Sequence, residues 1–287
     1  MEIRLHDDIA AFAALTAPLF NADPVRHTVV ITVLAGRLRP DGPDDLVTML
    51  TVHDGGGLRG AALRVRHWSL ITSALPPDSA PAVAELLAGS DEPPVGVVGP
   101  TANAEAFAVA WFERTGATAR VVMSQRLFVL GELRPPDGVP GAARVAGTGD
   151  IPLLARWLKA FAAAALPSGW PHRDDPEAAI ARQLAAGHGN LLWEVGGEPV
   201  AMATASAPTA GMSKIAPVWT PPEHRCRGFG SAVTAAASRW AQDRGAVHVV
   251  LFTDLSNPVS NSIYPKIGYL PVHDAVDLAF ERHVSGT

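Results

Sequence analysis

Residues 215–266 read IAPVWTPPEHRCRGFGSAVTAAASRWAQDRGAVHVVLFTDLSNPVSNSIYPK. An apolar strand ending near Trp219 is followed by a loop carrying Arg225, Cys226, Arg227, Gly228, Phe229 and Gly230, and then by a helix from about Ser231. The glycines permit a sharp turn and close approach of the backbone to a ligand, because no Cβ intervenes. The loop's amides fall at a helix N-terminus, where unpaired N–H groups and the helix dipole both favour an anion. Arg225 and Arg227 add positive charge. The pattern predicts a pyrophosphate cradle. A Walker loop needs a lysine after its last glycine, and Ser231 follows Gly230. A dinucleotide fingerprint needs a third glycine, and Val233 stands there.

The remaining form, R-x-x-G-x-G between a strand and a helix, resembles the pyrophosphate loop of GNAT N-acetyltransferases. The resemblance runs from about Arg144 to the end. It rests on two segments in order: VWTPPEHRCRGFGSA at 218–232 and TDLSNPVSNSIYPKIGY at 253–269. The first half is strongly diverged. A GNAT resemblance implies an α/β (α+β) fold with a mixed, mostly antiparallel sheet flanked by helices, and acetyl-CoA as co-substrate. It implies that the amides from Arg225 to Ser231 bind the two phosphates. It further implies that the backbone of Val218, Trp219 and Thr220 faces the acetyl carbonyl and the pantetheine, in a strand splayed from its neighbour, with a backbone N–H stabilising the oxyanion. Cys226 replaces the family's more usual glycine and requires a negative φ for its Cβ to be tolerated.

In family members resembling the N-x-x-x-N-x-x-Y stretch, the tyrosine protonates the leaving thiolate. Tyr264 holds that position. A thiol near pKa ~8.5 and a phenol near ~10 suit such a transfer or a stabilising hydrogen bond. Asn257 is expected to cap the last helix, with Pro258 at its first position. Asn261, one turn before Tyr264, is expected to face the same ligand channel. Pro265 disfavours a helical conformation at Tyr264 and removes an N–H, and so threatens to displace the hydroxyl. Glu223, His224, His172 and Asp254 are candidates for the base that deprotonates the amine.

The bulk numbers agree with a soluble enzyme. The 287 residues suit two domains, and 48% hydrophobic against 18% charged residues permit ample cores. A net charge of -5 offers no support for nucleic-acid or membrane-surface binding. The single cysteine excludes an intramolecular disulfide, and no His/Cys/Asp cluster has metal-ligand spacing. No apolar run approaches a membrane span, and Met1–Asp8 has no signal-peptide shape. A cytoplasmic bacterial protein, monomer or homodimer, is the expectation.

Along the chain, a helix at 8–20 precedes strands at 45–52, 58–65 and 68–72. A helix at 79–87, a strand at 95–98, a helix at 102–115 and a strand at 121–130 follow. The order recurs in the second half, so the chain reads as tandem GNAT-like domains: 1–133, a Pro/Gly linker at 134–141, and 142–287. The first half holds only Ala74-Leu75-Pro76-Pro77-Asp78 where a cradle belongs, and is read as a degenerate copy without CoA. The expected reaction is direct attack of a primary amine on acetyl-CoA in a ternary complex. Trp157, Phe161, Trp170 and His172 are the expected lining of the acceptor pocket, which hints at a small or hydrophobic amine. The alternatives are a non-catalytic acyl-CoA sensor, or a tRNA-dependent aminoacyl transferase, whose donor suits a basic surface better than this one.

Overall fold

A computed structural model of the chain describes residues 1–39, 42–165 and 175–281. It divides into two compact units, Met1–Arg126 with His273–Thr287, and Leu127–Val272. The same succession of elements is built twice. The first pass is β1 Glu2–Leu5, α1 Ile9–Ala22, α2 Thr28–Arg37, β2 Leu46–Asp54, β3 Gly57–Val65, β4 Leu70–Ala74, α3 Ala80–Ala88, β5 Gly96–Pro100, α4 Thr101–Thr115 and β6 Thr118–Leu130. The second is β7 Ala142–Val145, α5 Ile151–Ala165, α6 Pro176–Ala185, β8 Gly189–Val195, β9 Glu198–Ala205, β10 Met212–Trp219, α7 Phe229–Asp243, β11 His248–Asp254, α8 Pro258–Lys266 and β12 Tyr269–Glu281. The tandem reading holds, and the mixed, mostly antiparallel sheet flanked by helices is as expected. The sequence reading passed over β1 and α2.

Each unit is a sheet with helices on both faces. In the first unit, alternate residues of the strands face opposite cores. Met49, Ala61, Leu63 and Ile71 pack with Phe12, Phe20, Val30 and Leu34 of α1 and α2. Leu50, Ala62, Leu70 and Val97 pack with Val83, Leu87, Phe107 and Trp111 of α3 and α4. The second unit repeats this. Leu192, Met202 and Trp219 join Leu154, Trp157 and Ile180 on the α5/α6 face. Leu191, Ala203, Ile215 and Leu251 join Phe229, Val233, Trp240 and Tyr264 on the α7/α8 face.

The division differs from the expected one at 134–141. β6 and β12 are each 13 residues long, and each gives one end to either unit. The expected single domain 142–287 therefore gives way to one in which His273 onward belongs with the first unit. There Ala275–Ala279 pairs antiparallel with Gly96–Pro100. The approach is close: a Cβ on Gly96 would lie 2.3 Å from the Leu278 carbonyl oxygen. The linker is stitched to the second unit rather than left free. The Arg134 N–H donates to the Ile267 carbonyl at 3.1 Å, and the Trp193 indole N–H to the Pro140 carbonyl at 2.9 Å.

Candidate active site

Strand β10 parts from β11 partway along its length. The two are parallel partners at Met212–His248, Ser213–Val249 and Lys214–Val250, and β10 continues to Trp219 without them. On its other edge β10 stays antiparallel to β9, with a register shift between Ile215 and Val218, where Pro217 offers no N–H to a ladder. The stretch 215–219 thus has one free backbone edge. The side chains divide there: Val218 packs toward α7, and Trp219, 9% exposed, toward α5 and α6.

The chain then passes Thr220 and a single turn of 3-10 helix, Pro222–His224, and reaches the glycine loop. Two residues of that loop are left-handed, Cys226 at φ 58° and Gly228 at φ 83°. The expectation that Cys226 holds a negative φ is therefore corrected: this cysteine occupies a conformation that favours glycine. Alternating handedness turns successive N–H groups to one side, as in an anion-binding nest. Helix α7 starts at Phe229, two residues earlier than expected, and Gly228 caps it without a side chain. Ala232 N–H is the first to find a helical acceptor, the Gly228 carbonyl at 3.0 Å. The amides of Cys226, Arg227, Gly228, Phe229, Gly230 and Ser231 donate to no acceptor among the described residues. At Gly230 a Cβ would lie 3.4 Å from Thr220 Oγ1, so that position is close but not sealed.

The two arginines lie folded against rings. The Arg225 guanidinium carbon is 5.0 Å from the Trp219 ring centroid, and Arg225 Nε donates to the Thr220 carbonyl at 3.1 Å. Arg227 lies 4.8 Å from the Phe229 centroid. Both side chains are exposed, as is Cys226.

Helix α8 runs unbroken through Pro265 to Lys266, so the proline does not end it at Tyr264. Asn257 is the expected N-cap, its Oδ1 accepting from Ser260 N–H at 3.1 Å. Tyr264 is 6% exposed, with its ring 6.3 Å from Phe128 and 6.0 Å from Tyr269. It shares one core with Ile215 and Val218 of β10 and Leu251 of β11, the strands that part. Burial pushes its phenol pKa up to about 12, opposed by a hydrogen bond with Ser260. Burial likewise raises Tyr269, whose hydroxyl is 2.7 Å from Ser238 Oγ.

Asn261 departs from its expected role. Its amide nitrogen donates to the carbonyls of Asp254 and Leu255 at 3.0 and 3.2 Å, and its Oδ1 accepts from Thr253 Oγ1 at 2.7 Å. All its polar atoms are spent holding the turn after β11, not turned to a channel. Asp254 is likewise a turn residue, its carboxylate accepting from Ser256 N–H at 2.7 Å. Glu223 is exposed, and His224 sets its ring edge against Phe229 at 6.5 Å with Nδ1 buried and unpartnered. Trp157 and Phe161 line the α5/α6 core, whereas Trp170 and His172 lie outside the described residues. Asp150, just before α5, accepts from Gly147 N–H and pairs with both terminal nitrogens of Arg144, which hold its carboxyl below the usual range.

The first unit has no equivalent cradle among its described residues. Strands β4 and β5 also part, after Ile71–Val98. Beyond that point, however, the carbonyls of Thr72 and Leu75 accept from Asn103 Nδ2 at 3.1 and 2.8 Å, and Ser73 accepts from Arg26 Nε at 3.3 Å. Pro76, Pro77 and Pro81 bring no N–H to the start of α3. Side chains of the unit occupy the positions that the second unit leaves open.

Sequence reasoning missed Lys214 and Ser260. The signal for Lys214 was present: in MSKIAPVW it is the one charge in a mostly apolar strand, three residues before a proline.

Residues 155–269 match the model of the acetyltransferase (GNAT) family. Among solved structures, a GNAT-family acetyltransferase from Colwellia psychrerythraea is 13% identical with a TM-score of 0.63, covering 98% of this chain and 100% of its own. A GCN5-related N-acetyltransferase from Sphaerobacter thermophilus is 18% identical with a TM-score of 0.63, covering 96% and 94%. One from Kribbella flavida is 22% identical with a TM-score of 0.55, covering 82% and 91%. At these identities the likeness is one of fold, and it spans both units. No curated protein matches the chain. Among the described residues there is no group of three or more metal-ligating side chains and no helix long and apolar enough to cross a membrane.

Proposed function

We propose, from the premise that residues 155–269 are a domain of the acetyltransferase (GNAT) family, that the second unit transfers acetyl from acetyl-CoA to a primary amine by direct attack. The family implies acyl transfer from an acyl-CoA. The observation that carries the finer reading is the row of six unpaired amides from Cys226 to Ser231 at the N-terminus of α7.

Those amides fit a pyrophosphate. A helix dipole favours an anion by up to about 2 kcal/mol. Each charge-assisted hydrogen bond adds about 1.5–3 kcal/mol, so the bonds outweigh the dipole. Arg225 and Arg227 rest on rings at exposed sites, where a cation–π contact is worth about 0.5–1 kcal/mol. A phosphate outcompetes such contacts, so both arginines are available to the ligand. The pantetheine then follows the free edge of β10, where backbone groups of Val218 to Thr220 can meet its amides and the thioester carbonyl.

In the reaction, the amine nitrogen attacks the thioester carbon, the C–N bond forms, and the C–S bond breaks with its electron pair leaving on sulfur. Tyr264 comes from the α8 side of the parting strands. With its pKa near 12, full transfer of its proton to a thiolate of pKa ~8.5 is uphill by about 5 kcal/mol. Its role is therefore to donate a hydrogen bond to the sulfur as charge develops, while water supplies the final proton. The test is calorimetric titration of acetyl-CoA into the wild type and Gly230→Asp, followed by an amine screen read by thiol release. Binding to the wild type alone is expected; no binding to either sinks the reading.

A further inference from the structure

Two faces lead to the gap where β10 leaves β11, and among the described residues only one is open. On the α7/α8 face, Ile215, Leu251 and Tyr264 fill the space in a single core. Alternation along β10 puts Lys214 and Ala216 on the opposite face from Ile215, and both are exposed. An acceptor reaching a thioester laid along the free edge must come from that open face, past Lys214. Ala216, with only a methyl group, leaves room beside the bulge.

Lys214 is the last residue of β10 to pair with β11, opposite Val250. Its backbone is fixed from the other side: its N–H donates to Ser206 Oγ at 2.9 Å, and its carbonyl accepts from Ser206 N–H at 3.0 Å. Its side chain reaches solvent, but the protein packed around its amine desolvates it and lowers its pKa from the usual lysine value. Among the described residues no carboxylate pairs with it, so an anion brought alongside would favour its charged form. The same face carries a second unspent donor. Asn190 is fully buried opposite Thr204, whose hydroxyl it accepts at 2.8 Å, while its own Nδ2 has no partner. Thr204 lies next to Ala203 and Ala205, the β9 partners that flank the bulge in β10.

We propose that the acceptor is an amine that also carries an anionic group, a carboxylate in the simplest case, and that Lys214 binds this group at the mouth of the site. The inference rests on the acyl-transfer reading and narrows the expected small or hydrophobic amine to one that carries an anionic group. Lys214 takes no part in the bond changes. The acceptor nitrogen forms the new C–N bond and gives up one proton, and the thiolate leaves with the C–S electron pair and gains one. Lys214 is a specificity residue that sets which amine is held beside the thioester.

The experiment presents the full-length protein and acetyl-CoA with a panel of amino acids, each beside its amino acid amide and its decarboxylated amine, with thiol release as readout. The carboxylates are expected to turn over with a KM about tenfold below that of the uncharged partners, as a charge-assisted bond in a half-enclosed site provides. Lys214→Gln is expected to raise that KM about tenfold, with the larger effect on KM than on kcat, and to erase the preference; Lys214→Arg is expected to restore it. Equal use of acids and amides, turnover of carboxylate-free amines alone, no turnover of any acid, or an unchanged KM in Lys214→Gln would each overturn the proposal. Calorimetry keeps the two readings apart. A wild type that fails to bind acetyl-CoA removes the acyl-transfer reading itself, whereas intact binding without acid preference removes only the role of Lys214.

Discussion

Cys226 and Gly228, two residues apart, both hold left-handed backbone, at φ 58° and 83°. Only one of them is a glycine. The strain at an L-residue there is about 1–2 kcal/mol, and a glycine costs about 0.5–1 kcal/mol in unfolded-state entropy. The strain is the larger, so Cys226→Gly is expected to stabilise the protein by about 0.5–1 kcal/mol. Differential scanning calorimetry would show this as a rise of about 1–4 °C in Tm, with acetyl-CoA affinity retained. A fall in Tm would show that the surrounding loop has accommodated the Cβ.

Gly230→Asp separates the cradle from the fold. Its φ is not left-handed, and its Cβ meets only Thr220 Oγ1, at 3.4 Å. A carboxylate in the first helical turn favours the helix by about 0.3–1 kcal/mol but lies where a pyrophosphate would. Unchanged or raised Tm together with at least about 100-fold weaker acetyl-CoA binding is the expected result. Comparable affinity in both proteins would move the phosphates elsewhere.

Tyr264→Phe keeps the ring among Phe128 and Tyr269 and removes only the hydroxyl. A fall of about 10–100-fold in kcat is expected, with the acetyl-CoA Kd within about threefold, as for one lost transition-state donor. The rate should also stay insensitive to pH from this group below about 12, because burial keeps the phenol protonated. An unaltered kcat would leave Tyr264 a core residue only.

Asn261→Ala tests whether that side chain holds a turn or a ligand. Removing it leaves the Leu255 carbonyl without its donor and takes one partner each from the Asp254 carbonyl and the Thr253 hydroxyl. Those two still bond to each other, and the carbonyl also keeps Asn257 N–H. The expected loss is about 1–2 kcal/mol by chemical denaturation. A weaker acetyl-CoA affinity with no change in stability would instead mark a direct contact.

His27 predicts how the first unit responds to acid. Burial, chiefly, lowers its pKa to about 4, with Ser73 Oγ 3.1 Å from its Nδ1. The unfolded imidazole titrates near ~6.5, so the folded state prefers the neutral form. This contribution is fully present above about pH 6.5 and is lost as pH falls through about 4, to a total on the order of 3 kcal/mol. Thermal unfolding between pH 7 and 4 should show a shallower loss in His27→Gln than in the wild type. Parallel curves would contradict the assignment.

Much of this architecture was legible because it depends on local rules. Apolar periodicity placed the three-strand runs and the helices after them, and the order of elements exposed the duplication. The glycine loop could be read as an anion cradle from Arg225, Gly228 and Gly230 because the requirement for free amides is met by backbone alone. β1, with four residues, and α2, TVVITVLAGR, rich in β-branched residues, escaped because neither carries a clear period. Asn261 was misjudged because spacing gives the face of a helix and not the partner of a side chain.

The sequence by itself determined the repeated order of elements, the glycine loop before α7 and the place of Tyr264 on α8, since each follows from residue type and spacing along one segment. Tertiary structure alone decided that His273 onward belongs with the first unit, and that β10 leaves β11 after Lys214. It also decided that Asn103 and Arg26 close the first unit's strand end, while the second unit's is left open. Strand pairing and side-chain hydrogen bonds join residues far apart in the chain. Which partner wins depends on burial and geometry that no single segment contains.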